Sequence, residues 1–118
     1  MTAPGASDLP ITTGFELPGA TIRESLGVCF GLVVRSMGIA KGFTASFSAM
    51  RQGEVSQYTE LLEDSRRHAI DRMVANAQVL GANAVVGMRF DSSEIGQSLT
   101  EIVAYGTAVI AEPAGPAS

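Results

Sequence analysis

The chain has 118 residues, 46% of them hydrophobic, which is enough for the core of one domain. Its 12 acidic residues outnumber its 8 basic residues, and the net charge of -4 argues against electrostatic binding to nucleic acid or to an anionic membrane. Cys29 is the only cysteine, which excludes an intrachain disulfide and a zinc site with several thiolates, and predicts a reduced, cytoplasmic setting.

Both ends of the chain are small, proline-bearing segments that we expect to be flexible tails. We predict a tail over residues 1–10, a single domain over residues 11–111 and a second tail over residues 112–118. The first tail lacks the basic start and apolar run of a secretory signal. No stretch approaches the roughly 18 apolar residues of a membrane span. We therefore expect an unexported protein that does not span a membrane.

The first predicted element is a strand from Ile22 to Arg35, in which residue types alternate with period two. One face carries large apolar side chains. The other face is small, and Gly27 and Gly31 on it indicate a bulge or a close approach of another backbone. We expect both faces to be covered. The large apolar face consists of Ile22, Leu26, Val28, Phe30, Leu32 and Val34.

A short helix is predicted between residues 42 and 51. Its apolar residues follow one another at spacings of four and three, which places them on one side of a helix. The dipeptide Gln52-Gly53 is expected to end this helix. The apolar residues are Phe43, Phe47 and Met50.

A long helix is predicted from Ser56 to Leu80. Ser56 is the expected N-cap, and Gly81 is the expected left-handed residue just beyond the helix end. Glu63 and Arg67 lie one turn apart and are placed for a weak ion pair. One stripe at helical spacing is expected to face the core. It consists of Tyr58, Leu62, Ser65, Ala69, Met73, Ala77 and Leu80.

Two strands are predicted after the long helix, Ala84 to Phe90 and Thr100 to Ala111, joined by a polar turn over residues 91–97. The predicted fold class is α+β, with a small, mainly antiparallel sheet packed on the long helix and the short helix. The last strand is apolar on both faces, and one long helix covers only one of them. A neighbouring subunit is the most economical source of a second layer. The two faces carry Ile102, Ala104, Ala108 and Ile110, and Val103, Tyr105 and Val109.

Five residues are candidates for metal binding or catalysis. His68 and Cys29 are soft-metal ligand types, but no further ligand is spaced for them, so we interpret them as a solvated helical histidine and a buried small hydrophobe. Asp91, Glu94 and Glu101 gather carboxylate oxygens around a turn and suit a hard cation or acid–base chemistry. Solvated hairpin charges are the interpretation that we favour for these three.

The run from Gly81 to Gly87 reads Gly-Ala-Asn-Ala-Val-Val-Gly. A phosphate-binding loop follows a strand and opens a helix, whereas this run closes a helix and leads into a strand. The order of elements therefore excludes a phosphate loop. Further motifs surround the run: Thr12-Thr13, Pro18-Gly19 with Ile22, Gly27-Val28 with Gly31, Tyr58 with Leu62, Arg67 with Ala69 and Met73, and Gly106-Thr107-Ala108-Val109.

In this order the motifs resemble those of the YbjQ-like family, small bacterial and archaeal proteins described as heavy-metal-binding domains. The resemblance spans about Ile11 to Ile110. It implies a dodecin-like α+β subunit that assembles into a pentameric ring, with short strands joining neighbours. The motif positions with a structural role are Gly27, Gly31, Gly81, Asn83, Gly87 and Gly106.

Three functions are consistent with these residues. The first is a non-enzymatic, homo-oligomeric binding or scaffold module whose pore or grooves form between subunits, with no cofactor indicated and the ligand unknown. The second is a metal-binding protein that uses the acidic turn or symmetry copies of His68 or Cys29. The third is a small hydrolase or lyase with an inter-subunit active site using Asp91, Glu94 or Glu101, for which no nucleophile is identifiable.

Overall fold

The computed structural model describes residues 9–36, 52–96 and 99–115. Their elements are, in chain order, β1 (Ala20–Ser36), α1 (Gln52–Val79), β2 (Ala84–Glu94) and β3 (Leu99–Pro113). The strands form an antiparallel sheet in the order β1-β3-β2, and α1 packs on one face of it. The predicted α+β class is confirmed. The predicted short helix with Phe43, Phe47 and Met50 lies outside the described residues.

Two bulges in β1 overturn the prediction that its large apolar residues share one face. The register with β3 shifts between Ile22 and Glu24 and again between Ser25 and Gly27. Each extra residue reverses which face the following side chains occupy. Leu26 consequently packs into the core under α1, whereas Ile22 packs on the opposite face of the sheet.

The contact between β1 and α1 is close because Gly31 lies directly under the helix backbone. A Cβ atom built on Gly31 would collide with the carbonyl oxygen of Ala69 and the backbone nitrogen of Met73. Both helix residues are fully buried. A strand residue without a side chain therefore allows the helix to pack against the sheet at this point. Burial continues along β1 through Cys29 and Val33.

The helix begins earlier than the sequence indicates. Gln52 and Gly53 form its first turn instead of breaking the chain, so Ser56 lies inside the helix and is not its N-cap. In the predicted stripe, the fully buried residues are Ser65, Ala69, Met73 and Ala77, whereas Leu80 is 44% exposed because it belongs to the terminating turn.

The helix ends at a left-handed glycine, as predicted. Gly81 has a φ of 92°. Its N–H donates to the carbonyl oxygen of Gln78 at 2.9 Å, and the N–H of Ala82 donates to that of Ala77 at 3.0 Å. These two bonds are those of a Schellman motif. They satisfy carbonyl groups that the helix end would otherwise leave without partners.

Asn83 joins this helix end to the sheet. Its side-chain oxygen accepts from the N–H of Ala111, and its side-chain nitrogen donates to the carbonyl oxygen of Ala111, both at 2.8 Å. The side chain thus pairs with β3 as a strand backbone would. The hairpin that follows is tighter than predicted, because β2 continues through Asp91 to Glu94.

The outer edge of β2 is covered by the segment before β1. The N–H of Val85 donates to the carbonyl oxygen of Pro10, and the N–H of Thr12 donates to that of Val85, each at 3.0 Å. The predicted tail over residues 1–10 thus includes Pro10, which is hydrogen-bonded, and Leu9, which is buried in the core. The first part of this edge of the sheet is thus occupied by backbone of the same chain.

Candidate functional site

One surface of the sheet carries large apolar side chains that nothing in the described part of the chain covers. We call this surface the open face and define it by Val28, Phe30, Leu32 and Val34 of β1 with Val103 and Tyr105 of β3. Val28 is 70% exposed and Phe30 is 55% exposed. The register places Phe30 opposite Tyr105 and Leu32 opposite Val103. These residues therefore form one continuous apolar patch.

The open face ends at a free strand edge. Among the described residues β1 pairs with β3 alone, so its other side carries unpaired backbone groups. One of them is satisfied from the helix, because the side-chain nitrogen of Asn76 donates to the carbonyl oxygen of Phe30. An apolar patch that borders an open edge is typical of a surface that associates with another chain.

A polar cluster lies where the end of β1 meets α1. The Arg35 Nε donates to the Ser65 Oγ at 2.9 Å, and this hydroxyl donates to the carbonyl oxygen of Leu61 at 2.8 Å. The Arg35 Nη2 lies 3.6 Å from Asp64 Oδ2 and 3.4 Å from His68 Nδ1. Because a guanidinium group can only donate, it is the donor in its contact with His68.

Arg35 is a site residue that was not predicted, although the sequence contains a signal for it. Arg35 follows Cys29, Gly31 and Val33 at period two, which places it on the face that the helix covers. A charged residue at the end of a buried face indicates a polar partner on the covering element. That partner is Ser65, which the helical stripe did identify as buried.

The environment of Cys29 does not suit a ligand or a nucleophile. The residue is 2% exposed, and its Sγ lies 3.6 Å from the carbonyl oxygen of Gly106. Burial raises the pKa of the Cys29 thiol, which favours the protonated, unreactive form. His68 lies elsewhere on the subunit, against the cationic Arg35, and its exposed ring faces a group that repels a metal ion.

The three carboxylates of the hairpin do not converge. Asp91 pairs with Val103, and Glu101 pairs with Ser93, so both acidic residues lie on the side of the sheet away from α1. Glu94 pairs with Thr100, which places it on the other side. The Ser93 hydroxyl donates to a Glu101 carboxylate oxygen at 3.1 Å. Within the described residues, no three histidine, cysteine or acidic side chains are grouped to hold a metal ion. One subunit therefore does not present a donor set that fits a heavy metal in this part of the chain.

The glycines of the motifs serve the fold. Gly87 has a φ of 66° at the bulge of β2, and the ring of Phe15 lies against it. A Cβ atom on Gly106 would collide with the side chain of Val85. Gly27 has a φ of 106° at the second bulge of β1. At these positions the backbone angles or the close packing require glycine, and this requirement indicates no chemical role.

Comparisons with known proteins find similar sequences over most of the chain. A family model described as "Putative heavy-metal-binding" matches residues 9–112. A UPF0145 protein of Bradyrhizobium sp. (strain ORS 278) is 54% identical over 104 residues, covering 88% of this chain and 94% of the relative. A UPF0145 protein of Sulfurisphaera tokodaii is 49% identical over 104 residues, covering 88% and 91%.

A solved structure shows the same fold. It is a protein of unknown function from Pediococcus pentosaceus that belongs to the DUF74 family, and it superimposes with a TM-score of 0.61 at 14% identity. The match covers 89% of this chain and 99% of that protein. Among the described residues, no helix has both the length and the apolar character that crossing a membrane requires.

Proposed function

The chain belongs to the YbjQ-like family of UPF0145 proteins, and we propose that it is the non-enzymatic subunit of a closed homo-oligomer, with five subunits as the preferred number. The assembled ring, acting in the cytoplasm, is a binding or scaffold module. Its binding surfaces are the pore and the grooves that form between subunits. The observation that carries this proposal is the open face beside the free edge of β1.

The open face supports assembly because its exposure is costly for a separate subunit. Its six side chains lie side by side in register, so water contacts a continuous apolar surface. Burying apolar surface stabilises a contact by roughly 25 cal/mol per Å². A second copy of the chain is the occupant that we propose, since closed symmetric assembly is the usual way in which a soluble protein covers such a surface.

The test is the solution mass of the chain and of two glutamate variants. We expect the parent to be a closed oligomer by light scattering coupled to size exclusion. Phe30→Glu places a charge in the middle of the open face and should give monomers or much smaller assemblies. Val79→Glu is the matched control, because Val79 is 85% exposed at the end of α1 and away from the open face.

Two results would contradict the proposal. A parent chain that stays monomeric at high micromolar concentration would show that the subunits do not assemble. An oligomer that persists in Phe30→Glu at the parental mass would place the interface elsewhere.

Metal binding is a second candidate function, favoured by the description that the family model carries. In a ring, symmetry could bring together copies of His68 or of the hairpin carboxylates, whereas Cys29 is buried in the core of its own subunit. From the surroundings of these residues in one subunit we expect weak binding of zinc and copper by calorimetry. Stoichiometric binding below the micromolar level that is lost in His68→Ala or Cys29→Ser would place metal binding first.

A further inference from the structure

A shallow depression with a cationic rim lies between the free edge of β1 and α1. Two guanidinium groups and one imidazole border it together with three apolar strand residues. On a chain with a net charge of -4, this is a local reversal of sign. The lining residues are Leu32, Val33, Val34, Arg35, His68 and Arg72.

Arg72 is the cation in this depression that has no interaction partner within the described residues. Within the described residues it has no ion pair, hydrogen bond or ring contact, and its exposed side chain is free to turn toward a ligand. The five other arginines of that part of the chain each have a partner. The pairs are Arg23 with Glu112, Arg35 with Ser65 and Asp64, Arg66 with the ring of Phe90, Arg67 with Glu63, and Arg89 with the carbonyl oxygens of Thr13 and Met88.

Arg35 contributes a second, fixed guanidinium group. Its hydrogen bond to the buried Ser65 fixes the orientation of the guanidinium group. Less side-chain entropy is therefore lost when this group binds a ligand. Asp64 offsets one of the two arginine charges. The two arginines and Asp64 together leave about one positive unit, which is the sign that an anion requires.

The edge of β1 adds main-chain donors. The carbonyl group of Phe30 points away from β3, because it accepts from Asn76. In a strand the N–H and C=O of one residue point to the same side, and every second residue repeats that direction. No register shift interrupts β1 beyond Gly27. The N–H groups of Leu32 and Val34 therefore also point outward, along the edge that borders the depression.

We propose that this depression is a binding site for a small oxyanion, either a carboxylate or a phosphate group. Arg72 supplies the mobile charge, Arg35 supplies a pre-oriented guanidinium group, and the edge of β1 supplies N–H donors. Protein sites for carboxylate and phosphate combine these groups. All of its groups belong to one subunit, so the site needs no residue of a partner, and a neighbour that paired with the edge of β1 would compete with the anion for these N–H groups.

The experiment is an NMR titration of the full chain with inorganic phosphate and, in a second series, with succinate at the same ionic strength. Saturable shifts are expected for the N–H signals of Leu32 and Val34 and the Nε–H signals of Arg35 and Arg72. Arg72→Gln should weaken binding about tenfold, since it removes one charge-assisted contact. Arg67→Gln is the matched control, because it removes the same charge from an exposed position on the same helix and should bind as the parent does.

The two series distinguish the source of the oxyanion, since preferential saturation by phosphate or by succinate identifies the ligand chemistry. Equal weakening in both variants, or shifts spread over all exposed arginines, would show an adventitious ion only and overturn the site. Absence of saturable shifts in both series would overturn it as well. Light scattering on the same samples reports the assembly separately, so failure of the ring and failure of the anion site are distinguishable.

Discussion

Gly31→Ala should destabilise the subunit more than other glycine-to-alanine changes in this chain that leave the backbone unstrained. The added Cβ atom would meet the carbonyl oxygen of Ala69, the nitrogen of Met73 and the carbonyl carbon of Arg72, all of them backbone atoms of α1. Side chains move aside by changing rotamer, whereas a helix backbone has to move as a unit. Overpacking of a core costs about 1–3 kcal/mol. Because the atoms that the Cβ would meet belong to the helix backbone, we expect Gly31→Ala to lose stability in the upper half of that range. The shift would also loosen the fully buried contacts of Met73 and Ala77.

The assay is equilibrium unfolding in urea at a fixed protein concentration, with Gly14→Ala as the control. A Cβ atom on Gly14 would have its nearest neighbour, the Thr12 hydroxyl oxygen, at 3.6 Å, which is an ordinary contact. We expect Gly14→Ala to stay within about 0.5 kcal/mol of the parent. A free energy of unfolding for Gly31→Ala that equals the control value would refute the close helix–sheet contact at this residue.

Two further predictions concern the helix end and the buried thiol. Gly81→Ala should lower the free energy of unfolding by about 1 kcal/mol, because alanine disfavours a left-handed backbone even where space is open. The control Gly115→Ala, at an exposed and unstrained position, should leave the free energy of unfolding unchanged. Equal melting temperatures of the two variants would argue against a strained cap at Gly81. Because burial raises the pKa of the Cys29 thiol, the unfolded chain releases this proton first as pH rises, so the thiol should cost stability above roughly pH 8.5, the ordinary thiol value. Urea unfolding between pH 7 and 10 should show a loss that Cys29→Ala lacks, and parallel curves for the two proteins would contradict this.

The sequence predicted those parts of the fold that depend on local backbone rules. Gly81 ends the helix because glycine tolerates a positive φ, and the apolar stripe of α1 follows from helical periodicity. The faces of β1 were predicted wrongly at Leu26, because period two assumes an uninterrupted register. The bulge before Gly27 depends on pairing with a strand some 80 residues away. No local pattern of residues around Leu26 contains that information.

The candidate site was less predictable than the fold for the same reason. Arg35 and Arg72 are far apart in the sequence and border one depression only because Gly31 lets the helix lie close to β1. His68 is recognisable in the sequence as a metal-ligand type, but its neighbour Arg35 comes from another element. Contacts between side chains on different elements depend on how the elements dock, and periodicity within one element does not specify docking.

Phe30 and Gly31 are adjacent in β1 yet face opposite sides of the sheet, so the requirements of the fold and of the assembly are separable. Gly31 faces α1, and Phe30 lies on the open face, where it is 55% exposed. In an oligomer, assembly adds stability that depends on protein concentration. The melting temperature of the parent should therefore rise with concentration, and that of Phe30→Glu should not. Gly31→Ala should keep the concentration dependence while melting at a lower temperature throughout. If Phe30→Glu kept the concentration dependence of the parent, the open face would not be the surface on which the subunits associate.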